Sequence, residues 1–284
     1  MPWYQRVPVL RTYAALQARL VKTETALQTA RAERDQARQM LRRTHGHVLS
    51  YGQLKDIVLA HADRYKTAEP YPHVVVDDVF DPVLLEEILK EIDAMDRTQW
   101  HVTQRETERK YSSEDFRHFG PLTRALISQL NAAPFLAFLE NLTGIAGLVP
   151  DPHLRGGGLH EIHRDGVLGV HADFNYYQRL GLYRRLNLLL YLNVGWSEDW
   201  GGDLELWDKG GTHCVARVSP LFNRMVIFDT SDRHYHGHPR PLQCPPDRAR
   251  KSIALYYYTV QAPADCSAEA HTTIFIQAGD HATL

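Results

Sequence analysis

His171 and Asp173 stand two residues apart in the run Gly169-Val170-His171-Ala172-Asp173-Phe174-Asn175. On a β-strand, side chains i and i+2 leave the same face, so this imidazole and this carboxylate can reach one point. A third ligand from elsewhere would complete two imidazoles and a carboxylate on one face of a metal ion. That set leaves coordination positions open, which suits a non-heme Fe(II) centre, and a similar set suits catalytic zinc. An HxD pair is a weak signal by itself in a chain with 16 histidines. Its context strengthens it. The stretch TSDRHYHGHP (230–239) follows the apolar run RMVIFD and offers His234, His236 and His238 as third ligands. Alternation alone does not separate these three. Further on, Arg250 opens the run RKSIALYYYT (250–259). A guanidinium is suited to the far end of a dicarboxylate, because its planar fork gives two parallel charge-assisted hydrogen bonds.

Five runs in this order resemble the prolyl-hydroxylase-type branch of the 2-oxoglutarate/Fe(II) oxygenases. They are GGGLHEIHRDGVLGVHADFN (156–175), RRLNLLLYLNVGW (184–196), WGGDLELW (200–207), NRMVIFDTSDRHYHGHP (223–239) and RKSIALYYYT (250–259). The resemblance covers roughly 70–262 and is strongest over 155–259. It implies a double-stranded β-helix (jelly-roll) core and the cosubstrates Fe(II), 2-oxoglutarate and O2, with ascorbate as a supporting reductant. It selects His236 as the third metal ligand beside His171 and Asp173, since Phe228 precedes His236 by the family's spacing. Arg250 falls where the family has its oxoacid-binding arginine, with Lys251 as the rival. Tyr191 takes the place of a tyrosine that contacts the oxoacid. Asn187 shares its strand face, Leu204 would pack on the oxoacid chain, and Ser252 would share the carboxylate with Arg250. Retention of Asp173 points to hydroxylation of an aliphatic C–H, because halogenating relatives lack this carboxylate. One departure stands out. The family's tyrosine about ten residues before the first histidine is replaced by His160-Glu161-Ile162-His163. Arg184, Arg185 and Asn175 are further polar residues near the expected metal.

The elements that must carry these residues follow from periodicity. After Gly144 the sequence runs in short β-rich stretches divided by turn residues: 155–163, 167–172, 185–194, 203–207, 213–218, 224–229 and 251–260. Many short strands behind a helical segment predict an α+β fold, a sandwich or barrel with helices on one side. YPHVVVDDV (71–79) reads as a strand, and Asp81-Pro82 opens a helix by the cap-then-proline signature. Residues 121–144 read as helical with an interruption near Pro134. The polar and aromatic segment 96–120 is a candidate substrate lid. Residues 9–43 contain no Gly or Pro, and Val9, Tyr13, Leu16, Leu20, Thr23, Leu27, Ala30, Arg34, Ala37 and Leu41 alternate at spacings of 4 and 3. That is an imperfect heptad seam, so a coiled coil or a long single helix is expected. The expected organisation is a helical extension over 1–50 and an oxygenase domain over 68–284.

Bulk properties narrow the field. A net charge of −2 gives no reason to expect nucleic acid or a membrane surface as partner. Cys214, Cys244 and Cys266 are scattered and form no CxxC, and with no secretory leader pattern a cytoplasmic location is expected. The expected substrate is a prolyl, peptidyl or amino-acid compound, with a natural-product scaffold as the alternative. A zinc hydrolase and a non-catalytic scaffold are the rivals from other classes. Self-association through residues 9–43 is the expected protein contact.

Overall fold

The computed structural model describes residues 8–43, 50–267 and 269–276. The chain divides into two compact units, Met1–His47 and Val48–Leu284. In the first, helix α1 spans Pro8–Arg43. Of its apolar seam, Tyr13, Leu16, Leu20 and Leu27 are exposed by 49–59%. The side chains of Val9, Ala37 and Leu41 lie outside the described residues.

The second unit runs α2 (Tyr51–Thr67), β1 (His73–Asp77), α3 (Pro82–Asp93), β2 (His101–Gln104), β3 (Arg109–Ser113), α4 (Pro121–Leu130) and α5 (Ala133–Thr143). It continues with β4 (Val149–Pro150), β5 (Gly158–Ile162), β6 (Leu168–Ala172), β7 (Tyr176–Tyr177), β8 (Leu182–Tyr191), β9 (Leu204–Trp207) and β10 (Cys214–Val218). It closes with β11 (Arg224–Asp229), β12 (His236–His238), β13 (Arg250–Thr259) and β14 (Ile274–Phe275). Local chemistry sets the helix ends. Ser50 caps α2 and Asp81 caps α3, each accepting from a backbone N–H of the first turn. Glu91 of α3 accepts from Leu122 N and Thr123 N at 2.9 and 2.8 Å, so one helix caps the next. The stretch 121–144 is two helices, since Pro134 sits in the first turn of α5, where its missing N–H is harmless.

The strands form two antiparallel sheets. The larger has the order β1-β11-β8-β13-β5-β3-β2, with β4 on β13 and β7 on β8. The smaller has the order β10-β9-β12-β6-β14. From β5 to β14 the chain passes back and forth between the sheets, the winding of a jelly roll. Alternation on the two long central strands decides what each face does. Leu186, Leu188, Leu190, Ile253, Leu255 and Tyr257 are buried on the outer face, where Tyr257 Oη donates to Leu130 O and its ring meets Phe135. Asn187, Leu189, Arg250, Ser252 and Tyr256 face inward and line a cavity between the sheets.

Three parts of this unit differ from the sequence reading. The stretch 51–67, left between the two expected domains, is α2, and Tyr65 on it donates to Asp229 at the end of β11. The candidate lid is largely the β2–β3 hairpin, which extends the larger sheet by pairing with β5. Its tip also reaches the smaller sheet, where Gly169 N donates to Thr107 O at 2.7 Å, so the hairpin walls one side of the cavity. On the same edge of β6, β14 pairs Ile274 with Ala172 and Phe275 with His171.

Candidate active site

His171 lies near the end of β6, Asp173 just beyond it, and His236 opens β12 directly opposite His171 in register. Gly237 permits the close approach of these strands, because a Cβ there would meet Gly169 O at 2.7 Å. One ligand atom from each of His171, Asp173 and His236 falls within 4.8 Å of the others, a group able to hold a metal ion. His171 Nε2 stands 3.6 Å from Asp173 Oδ1 and His236 Nε2 3.5 Å from Asp173 Oδ2. The opposite ring nitrogens face backbone carbonyls, His171 Nδ1 at 2.8 Å from Gly169 O and His236 Nδ1 at 3.1 Å from His234 O. A carbonyl can only accept, so Nδ1 carries the hydrogen in both rings and the Nε2 lone pairs converge. Burial, then the neighbouring His171, pushes His236 down to about 3, which keeps its lone pair free at neutral pH.

Asp173 is held by two side chains from β8. Asn187 Nδ2 donates to Oδ2 at 2.8 Å, and Arg184 Nη2 stands 3.0 Å from the same oxygen. Arg184 in turn donates to Asn187 Oδ1 and stacks 3.5 Å from the Tyr256 ring centre. Burial pushes the Asp173 carboxyl up, but Arg184 and the two imidazoles outweigh it and hold the group well below the usual carboxylate range. The carboxylate is thus ionised, oriented and tied down on one oxygen.

Arg250 is 5% exposed. Its Nε donates to Gly202 O at 2.7 Å and its Nη2 to Tyr191 Oη at 3.1 Å, both neutral acceptors. Gly202 has φ +80° and a Cβ there would meet Arg250 Cδ at 3.0 Å, so a glycine makes room for the guanidinium. Among the described residues no carboxylate pairs with Arg250. Ser252 and Leu204 line the same cavity of about 410 Å³. Tyr191 is fully buried behind Arg250, packed with Leu204, Leu206 and Phe228, and reaches the cavity only through the guanidinium. Asn187 lines the wall as alternation requires, but its amide is engaged by Asp173 and Arg184.

The rival third ligands separate cleanly. His234 stacks on Tyr71 with ring centres 4.4 Å apart and bonds Asp229 O, away from the triad. His238 enters the cavity but is not part of the metal-holding group. Lys251, the rival of Arg250, pairs with Asp93 on the outer face. Arg185 faces Asp229 at 3.4 Å, and Asn175 holds the segment before β14 through Glu269 O and His271 N. The roles of Arg184 and His238 were not readable from the sequence, because both rest on contacts between separate strands.

The family model of the 2OG-Fe(II) oxygenase superfamily matches residues 157–258. A prolyl 3,4-dihydroxylase of Ostreococcus tauri is 26% identical over 191 residues, covering 59% of this chain and 34% of that protein. The chain therefore spans about a third of the length of this curated relative. A prolyl 4-hydroxylase structure from Phytophthora capsici superposes with a TM-score of 0.55 at 21% identity, covering 78% of this chain and 70% of that one. A prolyl hydroxylase of Trichoplax adhaerens, solved with a peptide fragment of the hypoxia inducible factor oxygen degradation domain, gives 0.53 at 16% identity, covering 72% and 92%. At these identities the solved structures establish a shared fold. The segment that matches the model of the 2OG-Fe(II) oxygenase superfamily contains β5 and all three members of the metal-holding group.

Proposed function

We propose that the unit Val48–Leu284 is an Fe(II)- and 2-oxoglutarate-dependent dioxygenase that hydroxylates an aliphatic C–H of a prolyl, peptidyl or amino-acid substrate. Fe(II), 2-oxoglutarate and O2 are the reactants that the superfamily implies, and the donor set fits them. His171, Asp173 and His236 would hold the iron through two convergent Nε2 atoms and one carboxylate. Arg250 and Ser252 would hold the far carboxylate of 2-oxoglutarate, with Leu204 against its methylenes. When bound, iron and 2-oxoglutarate supply oxidation of a C–H bond by O2, coupled to conversion of the oxoacid to succinate and CO2. The protein's part is positional. Arg184 and Asn187 fix Asp173, and Leu189, Leu204 and Phe228 give the cavity an apolar wall.

The observation that carries this reading is the buried guanidinium of Arg250, without a carboxylate partner, in the cavity that holds the triad. Burying a charge without a counter-ion is strongly unfavourable, so the site asks for an anionic ligand. For the substrate, a second cavity of about 570 Å³ shares Phe174, Thr272 and Thr273 with the first and gives room for a peptide beside the metal. The names of the prolyl-hydroxylase relatives agree with a prolyl or peptidyl substrate.

The test is iron-dependent formation of succinate from 2-oxoglutarate, with ascorbate present. It is paired with mass spectrometry of lysate peptides and metabolites treated with wild type or Asp173→Ala. Succinate and products heavier by one oxygen atom, both absent with Asp173→Ala, are expected. A protein that binds Fe(II) but never yields succinate, and that hydrolyses its substrate with Zn(II), would overturn the assignment.

A further inference from the structure

The cavity end beside Arg250 holds more hydrogen-bonding groups than the roles above use. β12 carries His238 two residues past His236, hence on the same inward face. His238 is 3% exposed, and among the described residues neither Nδ1 nor Nε2 has a hydrogen-bond partner. Buried polar groups left unmet are rare in native proteins and mark a missing ligand, ion or water. His236 lies opposite His171, whereas His238 lies opposite Leu168, three residues further along β6. His238 is nevertheless only two residues past His236 on β12, so at about 3.4 Å per residue it stands roughly 7 Å along the strand from that ligand. A five-carbon oxoacid chelated at one end would put its other carboxylate on this side of the cavity.

The facing wall supplies the rest of the cradle. On the larger sheet His160 pairs in register with Ser252, and Arg250 is two residues before Ser252 on the same face. His160 Nε2 lies 3.2 Å from Gly156 O. Lys110 enters from β3 and is balanced by Glu108 at 3.0 Å, which leaves the Arg250 charge uncompensated. His238, Arg250 and Ser252 thus line one cavity, and among the described residues no carboxylate pairs with Arg250. In either protonation state an imidazole has at least one N–H to give.

We propose that His238 is a cosubstrate-binding residue of this pocket: its ring N–H donates to the distal carboxylate that Arg250 and Ser252 also hold, so the pocket selects dicarboxylic over monocarboxylic oxoacids. This rests on the oxygenase reading and adds to it a donor from the opposite sheet.

The experiment is calorimetric titration of 2-oxoglutarate, and separately of 2-oxobutyrate, into the full chain loaded with Mn(II) under anaerobic conditions. His238→Leu keeps bulk and removes the N–H, and is expected to weaken 2-oxoglutarate roughly tenfold, the size of one lost charge-assisted hydrogen bond. It is expected to leave Mn(II) stoichiometry and 2-oxobutyrate binding unchanged. His238→Gln, which restores an N–H donor, is expected to regain part of the loss and so separates lost bonding from a misfitted side chain. Wild-type affinity for 2-oxoglutarate in His238→Leu, with loss in Arg250→Ala, would overturn the role of His238 and leave the oxygenase reading standing. A wild-type protein that binds Mn(II) and neither oxoacid would overturn the oxygenase reading itself.

Discussion

Asp173 combines two demands that pull against each other. It must stay ionised in a buried site, and one of its oxygens must remain available to a cation. Arg184 and Asn187 meet both by holding Oδ2, so that Oδ1 stays available beside His171 Nε2. Replacing Arg184 by Met keeps an unbranched apolar stem and removes the guanidinium that pairs with Asp173 and stacks on Tyr256. The expected result is a metal affinity lower by roughly 10- to 100-fold, the range for loss of a group that orients a ligand. Titration with Fe(II) or Mn(II) measures it, and unchanged affinity would mean that Asn187 alone orients the carboxylate. The HxD pair was legible in the sequence because strand alternation is a local property. His236 needed resemblance, since three alternating histidines look alike along the chain. Arg184 was visible only as a polar residue of unstated role, because its partner Asp173 is brought beside it by the fold and not by sequence spacing.

At the scale of elements, each strand that carries the site was visible as a β-branched or apolar run bounded by turn residues, with β12 the exception. Its three residues are His-Gly-His, which have no strand propensity, and pairing with β6 and β9 makes them a strand. The β2–β3 hairpin was hidden for a related reason: it is mostly solvent-facing and therefore lacks an apolar alternation. α2 was missed because only Leu54, Ile57 and Tyr65 of its 17 residues are buried. Tyr65 nevertheless ties α2 to β11 through Asp229, whose carboxyl burial pushes up while Arg185 opposes it. Tyr65→Phe would leave that buried carboxylate one donor short, at a cost of about 1–3 kcal/mol. In a unit of this size a loss of that order lowers Tm by roughly 2–4 °C per kcal/mol. The sign with pH follows from the raised folded pKa of Asp229. The unmet carboxylate exists only above that pKa, so the deficit is full well above it and shrinks as pH falls through it. Thermal melts of wild type and variant across that range check both the size and the direction. A deficit independent of pH would place the effect in packing of the ring and not in the hydrogen bond.

At the scale of the whole chain, the question left by the sequence is what α1 is for. We propose that it self-associates. Its unit contains no other described element, and Tyr13, Leu16, Leu20 and Leu27 stand 49–59% exposed at spacings of 3, 4 and 7. Heptad-spaced apolar residues left in water gain about 25 cal/mol for each Å² they bury, and a second copy offers the same stripe in the same register. Thr23 and Arg34 interrupt that stripe, so the association should be weak and concentration-dependent. Sedimentation of the full chain is expected to show a dimer forming over the micromolar range. The triple variant Leu16→Glu, Leu20→Glu, Leu27→Glu is expected to remain monomeric, because like charges at the seam repel. Its larger unit should melt at the wild-type temperature and keep its metal affinity, since the triad and its supports all lie in Val48–Leu284. A wild-type chain that stays monomeric at high micromolar concentration, or a triple variant with the wild-type mass, would sink the idea. Loss of metal binding in the triple variant would instead tie α1 to the catalytic unit and make the helix part of that unit's stability.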